Sequence, residues 1–240
     1  MKFFDLESPL MQVLNKVADL MILNLLTVLF CIPVITVGAS LTAMHYVALK
    51  MARNEECYIA RDFFKSFRMN LKQGTVIWLI ELFLVLVLAG DFLIMNSVEM
   101  SFGGVIKIIL TVIAFVGLFT FTFVFPVLAK FENTVIRTIK NAFLIGVLQF
   151  PKTILMMILS VVPTVVFLLF PQIMPIVFLF GFTAPAWLSA KLYSNYFRRL
   201  EDQILNENGE AGAGGSPEGE DERIFKDELD ESLLDDPRIG

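Results

Sequence analysis

The chain has 240 residues, 56% of them hydrophobic and 18% charged, against roughly 45–50% and about 25% in a soluble globular domain. With a mean hydropathy of +0.72, this composition excludes a soluble enzyme and indicates an integral membrane protein. The net charge of −5 divides unevenly: residues 1–200 hold 16 Lys and Arg against 10 Asp and Glu, and residues 201–240 hold 3 against 14, so a basic membrane domain carries an acidic tail and neither half has a nucleic-acid footprint.

Asp5 and Glu7 precede an apolar run too long for a signal h-region, so no cleavable signal peptide is expected. Residues 20–49 carry no Asp, Glu, Lys or Arg but are interrupted by Pro33-Val34-Ile35-Thr36-Val37-Gly38-Ala39-Ser40. Pro33 removes a helix donor and crowds the preceding turn, Gly38 suits a helix end, and Ser40 suits the next N-cap. The pattern predicts one helix over 9–32 and a second over 40–53, the latter short for a span.

Residues 54–73 are charged and amphipathic, and 75–95 are apolar apart from Glu81 and Asp91. A short loop with Glu99 follows, then an apolar stretch over 105–129 containing Lys107, then a second amphipathic segment over 130–152. Residues 153–190 are uncharged; as one straight helix they would reach about 57 Å, nearly twice the ~30 Å hydrocarbon core of a bilayer. They must fold back, and Pro171-Gln172-Ile173-Met174-Pro175 marks the turn. The glycine-rich 209–217 is expected to be disordered. Phe225, Leu229 and Leu233 recur every four residues in the acidic tail, a spacing expected to give only transient helix.

Basic residues set the orientation. Lys50, Arg53, Arg61, Lys65, Arg68 and Lys72 fall in one segment, Lys130, Arg137, Lys140 and Lys152 in another, and none in 96–104 or 171–175. The two basic segments and the C-terminus are therefore expected in the cytoplasm of a multi-pass cell-membrane protein. If the second helix returns across the membrane there are six spans and a cytoplasmic N-terminus; if 20–49 crosses once there are five and the N-terminus is outside. Lys2 and Lys16 favour six.

Arg61, Lys65, Arg68 and Lys72, spaced 4, 3 and 4, form one helical stripe, with Ala60, Phe63, Phe64, Phe67 and Leu71 on another arc. The second segment places Ile136, Ile139, Phe143, Val147 and Phe150 on an apolar arc, with Arg137, Lys140 and Asn141 facing away. Both helices are expected at the membrane interface, phenylalanines in the acyl boundary and cations on anionic headgroups. Arg61, Phe67 and Gln73 align with Arg137, Phe143 and Gln149 at a constant offset of 76, which suggests a weak internal duplication.

The stretch Leu23-Asn24-Leu25-Leu26, then Ile32-Pro33-Val34-Ile35-Thr36-Val37-Gly38-Ala39-Ser40-Leu41-Thr42-Ala43, then Phe63-Phe64-Lys65-Ser66-Phe67-Arg68-Met69-Asn70-Leu71-Lys72-Gln73 resembles the YesL-like family of small bacterial multi-pass membrane proteins. The resemblance covers residues 10–95, continues in pattern to about residue 200, and does not include the acidic tail. It implies association with carbohydrate uptake and utilisation but no biochemical activity, and it brings no catalytic residues to carry over.

Ionisable side chains inside a span are the default candidates for function. Glu81 is the first, with Asn24 or Thr27 as a possible packing partner. Asp91 is expected near the outer headgroups. Glu81 and Asp91 are about 15 Å apart along a helix and cannot form the close carboxylate pair of a retaining glycosidase. His45, the sole histidine, suggests packing rather than metal binding, and Gly38, Ala39 and Ala43 form a small-residue seam for helix contact. Cys31 and Cys57 have no disulfide or zinc spacing. No cofactor or metal is indicated.

The sequence thus predicts an all-α polytopic membrane helix bundle. It has five or six membrane helices, two cytoplasmic amphipathic helices, a membrane domain over 1–200 and a mostly disordered acidic tail over 201–240. The leading expectation is a non-enzymatic protein accessory to carbohydrate uptake, with the bilayer, anionic headgroups and a transporter subunit as partners. The alternative is an autonomous small-solute transporter or channel using Glu81 and the break around Pro33–Gly38.

Overall fold

The computed structural model describes residues 9–97, 103–211 and 224–225. Lys2, Asp5, Glu7, the loop at Glu99, residues 212–217, Leu229 and Leu233 lie outside them. The described chain is an all-α bundle: α1 (Pro9–Cys31), α2 (Val37–Arg53), α3 (Ile59–Ser97), α4 (Gly103–Lys130), α5 (Val135–Leu148), α6 (Phe150–Leu169), α7 (Met174–Phe180) and α8 (Thr183–Ala211). A two-residue parallel bridge pairs β1 (Phe131–Glu132) with β2 (Ile224–Phe225), so Phe225 is extended rather than helical. Among the described residues, five segments are long and apolar enough to cross a membrane: Met11–Cys31, Val34–Arg53, Ile59–Leu93, Val105–Lys130 and Phe150–Leu169. The pair Pro171–Phe180 and Thr183–Ile204 is bent by 53° and, counted as one broken span, brings the number to six.

Pro33 ends α1 as its missing N–H and ring require. The Thr36 hydroxyl, 2.7 Å from the Phe30 carbonyl and 2.9 Å from that of Pro33, can give its one proton to the Phe30 carbonyl that the end of α1 leaves open. Ser40 is inside α2, not at its cap, and its hydroxyl donates to the Thr27 carbonyl at 2.9 Å. At the other end Lys16 Nζ donates to Asn54 Oδ1 at 2.8 Å. Contacts at both ends make α1 and α2 an antiparallel hairpin, with the start of α1 and the end of α2 on one side. Asn54 stops α2 in the left-handed region (φ 55°), a conformation asparagine tolerates at a helix C-terminus.

At its 39 residues, α3 is about 58 Å long, too long to lie wholly in hydrocarbon. Its first half carries Arg61, Lys65, Arg68 and Lys72, all exposed. Each cation would cost roughly 2.5–3.5 kcal/mol at the bilayer centre. The first half therefore stands outside the hydrocarbon and 75–97, about 35 Å, spans it. α2 runs beside that polar half, from Gly38 against Gly74 to Lys50 against Asp62. Accordingly α2, level with that polar half, is mostly covered by protein, whereas the other candidate spans present apolar side chains outward.

The core draws on nearly every helix, with Leu23, Phe63, Ile77, Phe123, Leu128, Ile145, Met156, Tyr193, Phe197 and Leu200 all but fully buried. Phe63 departs from the expected acyl-boundary position because Phe30 of α1 packs on it (ring centroids 5.8 Å apart) and on Phe67 (5.0 Å). In α5 the buried face is Thr138, Asn141, Ala142, Ile145 and Gly146. Asn141 thus faces away from the apolar arc, as expected, and is buried in the protein interior while Lys140 is exposed. The small residues Ala142 and Gly146 let α4 approach, and Asn141 shares their face. The apolar arc of α5 is turned outward, with Ile136 80% exposed.

α3 begins at Ile59 and α5 at Val135, a difference of 76 that equals the sequence offset. The second unit breaks at Gln149 into α5 and α6 where α3 continues unbroken, because Pro151 in the first turn of α6 cannot serve as a helix-interior donor. Thr153 Oγ1 bridges the break, donating to the carbonyls of Gly146 (2.7 Å) and Gln149 (3.0 Å).

Candidate functional site

The structure separates the sequence-selected polar residues into four places. The first is a latch on Asn24, which is fully buried. Its Nδ2 donates to the Phe178 carbonyl of α7 at 2.7 Å. Its Oδ1 accepts from the backbone N–H of Phe182 (3.1 Å) and Thr183 (3.2 Å) at the start of α8. The Thr183 hydroxyl donates to the Leu20 carbonyl at 3.0 Å. One amide thereby satisfies both sides of the α7–α8 break, where no water in a bilayer could. Asn24 is occupied by this role and does not pair with Glu81.

Glu81 is the second place. It is 7% exposed, and no hydrogen bond or ion pair reaches it among the described residues. The proposed partner Thr27 donates instead to the Leu23 carbonyl at 2.8 Å. Asp91, on the same helix, is half-buried. Glu81 lies seven residues beyond Gly74, about 10 Å into the spanning half of α3.

His45 on α2 is the third. Its Nδ1 is buried with no hydrogen-bond partner among the described residues. His45 borders a cavity of about 310 Å³ between α2, α4, α6 and α8. The structure brings His45 together with neither Glu81 nor Asn24.

The fourth place is the polar end of the bundle. Along α3, Arg61, Lys65, Arg68 and Lys72 form the expected exposed stripe; on α5, Lys140 is exposed and Arg137 half-buried. Inside that end lie two clusters of ion pairs among the described residues. Lys50 Nζ is 3.2 Å from Asp62 Oδ2, and the same oxygen accepts from the Tyr58 N–H at 3.1 Å, fixing the start of α3 where an acid suits the helix dipole. Arg53 clasps Glu201 of α8 through two bonds, Nη2 to Oε1 at 2.6 Å and Nη1 to Oε2 at 3.0 Å, with Lys130 Nζ of α4 at 3.6 Å. The guanidinium is almost fully buried. Sequence reasoning missed this clasp. Arg53 and Glu201 are 148 residues apart, and Glu201 reads only as the first acid of the tail although α8 continues to Ala211.

Cys57 sits beside this group, in the turn before α3. Burial pushes its thiol up to about 12, and the Asp62 carboxylate adds to the shift.

No curated protein and no solved structure matches the chain. Residues 20–92, which run from the later turns of α1 through α2 and most of α3, match the model of a family described as a protein of unknown function, DUF624.

Proposed function

We propose that this integral membrane protein is a non-enzymatic accessory to the uptake or utilisation of carbohydrate-type solutes, working through its basic face. The observation that carries the reading is the arrangement of α3. Arg61, Lys65, Arg68 and Lys72 stand exposed along one stripe while Phe63 on the opposite arc is buried against α1. Such a stripe at the end of a span attracts anionic headgroups and acidic protein surfaces, at about 1 kcal/mol per cation near a charged leaflet. The Arg53–Glu201 clasp holds α8 at the same end. The bias of basic residues assigns that end, and with it the C-terminus, to the cytoplasm of the cell membrane. The carbohydrate link rests on the YesL-like resemblance over residues 10–95.

The test is affinity capture of the full chain from native membranes, followed by mass spectrometry. The wild type is expected to bring down a transporter subunit, and replacing the four stripe residues by Gln to release it. An unchanged partner set after neutralisation contradicts the reading.

One observation favours a second reading, a small-solute or ion pathway through the protein itself. Glu81 is a buried carboxylate without a partner among the described residues, a pattern associated with ion and proton routes. The Pro33–Gly38 break lends it no support. Ile32, Val34 and Ile35 are exposed on the bundle surface, and Gly38 is sealed against Gly74. Flux in proteoliposomes that falls in Glu81→Gln would support this reading; no flux for any ion or sugar gradient would count against it.

A further inference from the structure

We infer that Glu81 is a proton-binding site, held as the neutral acid inside the spanning half of α3, and that the ion of the second reading above is a proton. The inference rests on that reading for its bearing on transport and goes further by naming what the site binds.

The seam between α3 and α4 fixes where the side chain sits. Ile77, Trp78 and Leu84 lie three or four residues from Glu81 and share its face of the helix. On either side of Glu81 this face meets α4. Trp78 packs on Phe121 with ring centroids 6.4 Å apart, and a Cβ built on Gly117 would come within 2.9 Å of Leu84 Cδ2. Ile77 is fully buried. Glu81 therefore lies between two helix–helix contacts made by apolar groups. It is 7% exposed and makes no hydrogen bond or ion pair among the described residues. Its carboxyl oxygens are not among the unpartnered atoms that the bundle encloses completely. The remaining exposure thus includes them, and a small lipid-soluble reagent can reach them.

The charged groups of every element packed on α3 stand well away. α4 carries only Lys107 and Lys130, ten residues before Gly117 and nine beyond Phe121, each about 13 Å or more from the seam along the axis. On α3 itself Lys72 and Asp91 are nine and ten residues off, again about 13–15 Å. α2 reaches α3 no farther than Gly38 against Gly74 and Trp78, and its His45, Lys50 and Arg53 lie toward the polar end. α1, with Lys16 and Asp19, packs through Phe30 on Phe63 and Phe67. Arg137 and Lys140 of α5 also belong to that end.

An ionised carboxylate in this seam would be uncompensated, and a carboxyl group so placed takes up a proton instead. A metal ion is poorly served. Hard cations bind through several oxygens, roughly six or more for Ca²⁺ and Mg²⁺. Glu81 supplies one carboxyl, and no group of three or more His, Cys, Asp and Glu side chains that could hold a metal ion occurs among the described residues. A proton needs a single oxygen.

The experiment is labelling of the full chain in liposomes with dicyclohexylcarbodiimide, which is lipid-soluble and reacts through the protonated acid. The acid proton passes to a carbodiimide nitrogen, the carboxyl oxygen bonds the central carbon, and the adduct rearranges to a stable N-acylurea with no atom lost. Peptide mapping should find label at Glu81, at a rate that falls as pH rises and is unchanged by excess Na⁺, K⁺ or Mg²⁺. Glu81→Asp should keep the label and Glu81→Gln should lose it; the mapping of the wild type carries the test if either variant does not fold. No label at Glu81, faster labelling there by a water-soluble carbodiimide, or protection by any of the metal cations would overturn the inference. Cation protection would leave the pathway reading standing with a different ion. Label at Glu81 without flux in proteoliposomes would retire the pathway and keep the proton site.

Discussion

Gly38 of α2 lies directly against the backbone of Gly74 of α3. A Cβ built on Gly38 would come within 2.7 Å of the Gly74 carbonyl carbon and of Trp78 Cβ, and one on Gly74 within 2.9 Å of the Ala39 nitrogen. Backbone cannot move aside as a flexible side chain can, so Gly38→Ala and Gly74→Ala should each destabilise by about 1–3 kcal/mol through overpacking. Gly90, on the same helix, has nothing within 4 Å of its built Cβ. Gly90→Ala should be neutral or stabilising by up to about 1 kcal/mol through helix propensity. Thermal unfolding of the three variants in one detergent checks the contrast.

The Asn24 latch makes a second prediction. Asn24→Leu matches the side chain in bulk but strands the Phe178 carbonyl and the Phe182 and Thr183 N–H groups. Each unsatisfied buried group costs about 1–3 kcal/mol. Asn24→Asp keeps the acceptor and loses the donor. Unfolding midpoints should rank wild type above Asp and Asp above Leu; a Leu variant as stable as wild type would refute the latch.

For the Arg53–Glu201 clasp, removing one partner should be worse than removing both. Glu201→Gln leaves the buried guanidinium with the more distant Glu55 carboxylate at 3.8 Å, at up to about 3–5 kcal/mol. Arg53→Met combined with Glu201→Leu should recover part of that loss, because the guanidinium no longer has to be desolvated while Lys130 still loses its Glu201 partner. A double-mutant cycle on stability measures the coupling, and strict additivity would show that the pair does not interact.

Cys57 should be a slow thiol. With its pKa at about 12 against an ordinary 9.0, its thiolate fraction at pH 8 is smaller by about a hundredfold or more, and alkylation should slow accordingly. Since deprotonation is what is suppressed, the rate should keep climbing above pH 9, where an ordinary thiol levels off. Asp62→Asn removes the neighbouring charge and should speed the reaction. A rate–pH profile with maleimide, read against an engineered surface cysteine, decides it.

Much of this architecture is local and so could be read from the sequence. Pro33 and the run of apolar residues placed α1 and α2, expected over 9–32 and 40–53 and found at Pro9–Cys31 and Val37–Arg53. The prolines at 171 and 175 marked the fold-back, and the spacing of Arg61 to Lys72 gave the exposed stripe. The second break, at Gly181 and Phe182, carries no comparable signal, because its open backbone groups are met by Asn24 from a helix more than 150 residues away. For the same reason the Glu201 clasp and the His45 cavity were invisible: each is assembled by tertiary packing between distant segments. Phe63, expected in the acyl boundary, is buried while its neighbour Phe64 stays exposed; periodicity shows that an arc is apolar and not what covers it. Phe30 covers that arc.

On this geometry α3 leaves the bilayer near Gly74, with its cationic half in aqueous contact and its second half spanning the membrane. Single spin labels placed along α3 from 61 to 93 in liposomes, compared for collision with oxygen and with a water-soluble nickel chelate, test it most directly. Nickel access is expected at the exposed positions 61, 65, 68 and 72, and oxygen access at 76, 79, 83, 86 and 93, with the change between 72 and 76. Oxygen access along the whole helix, or nickel access along the whole helix, would contradict it.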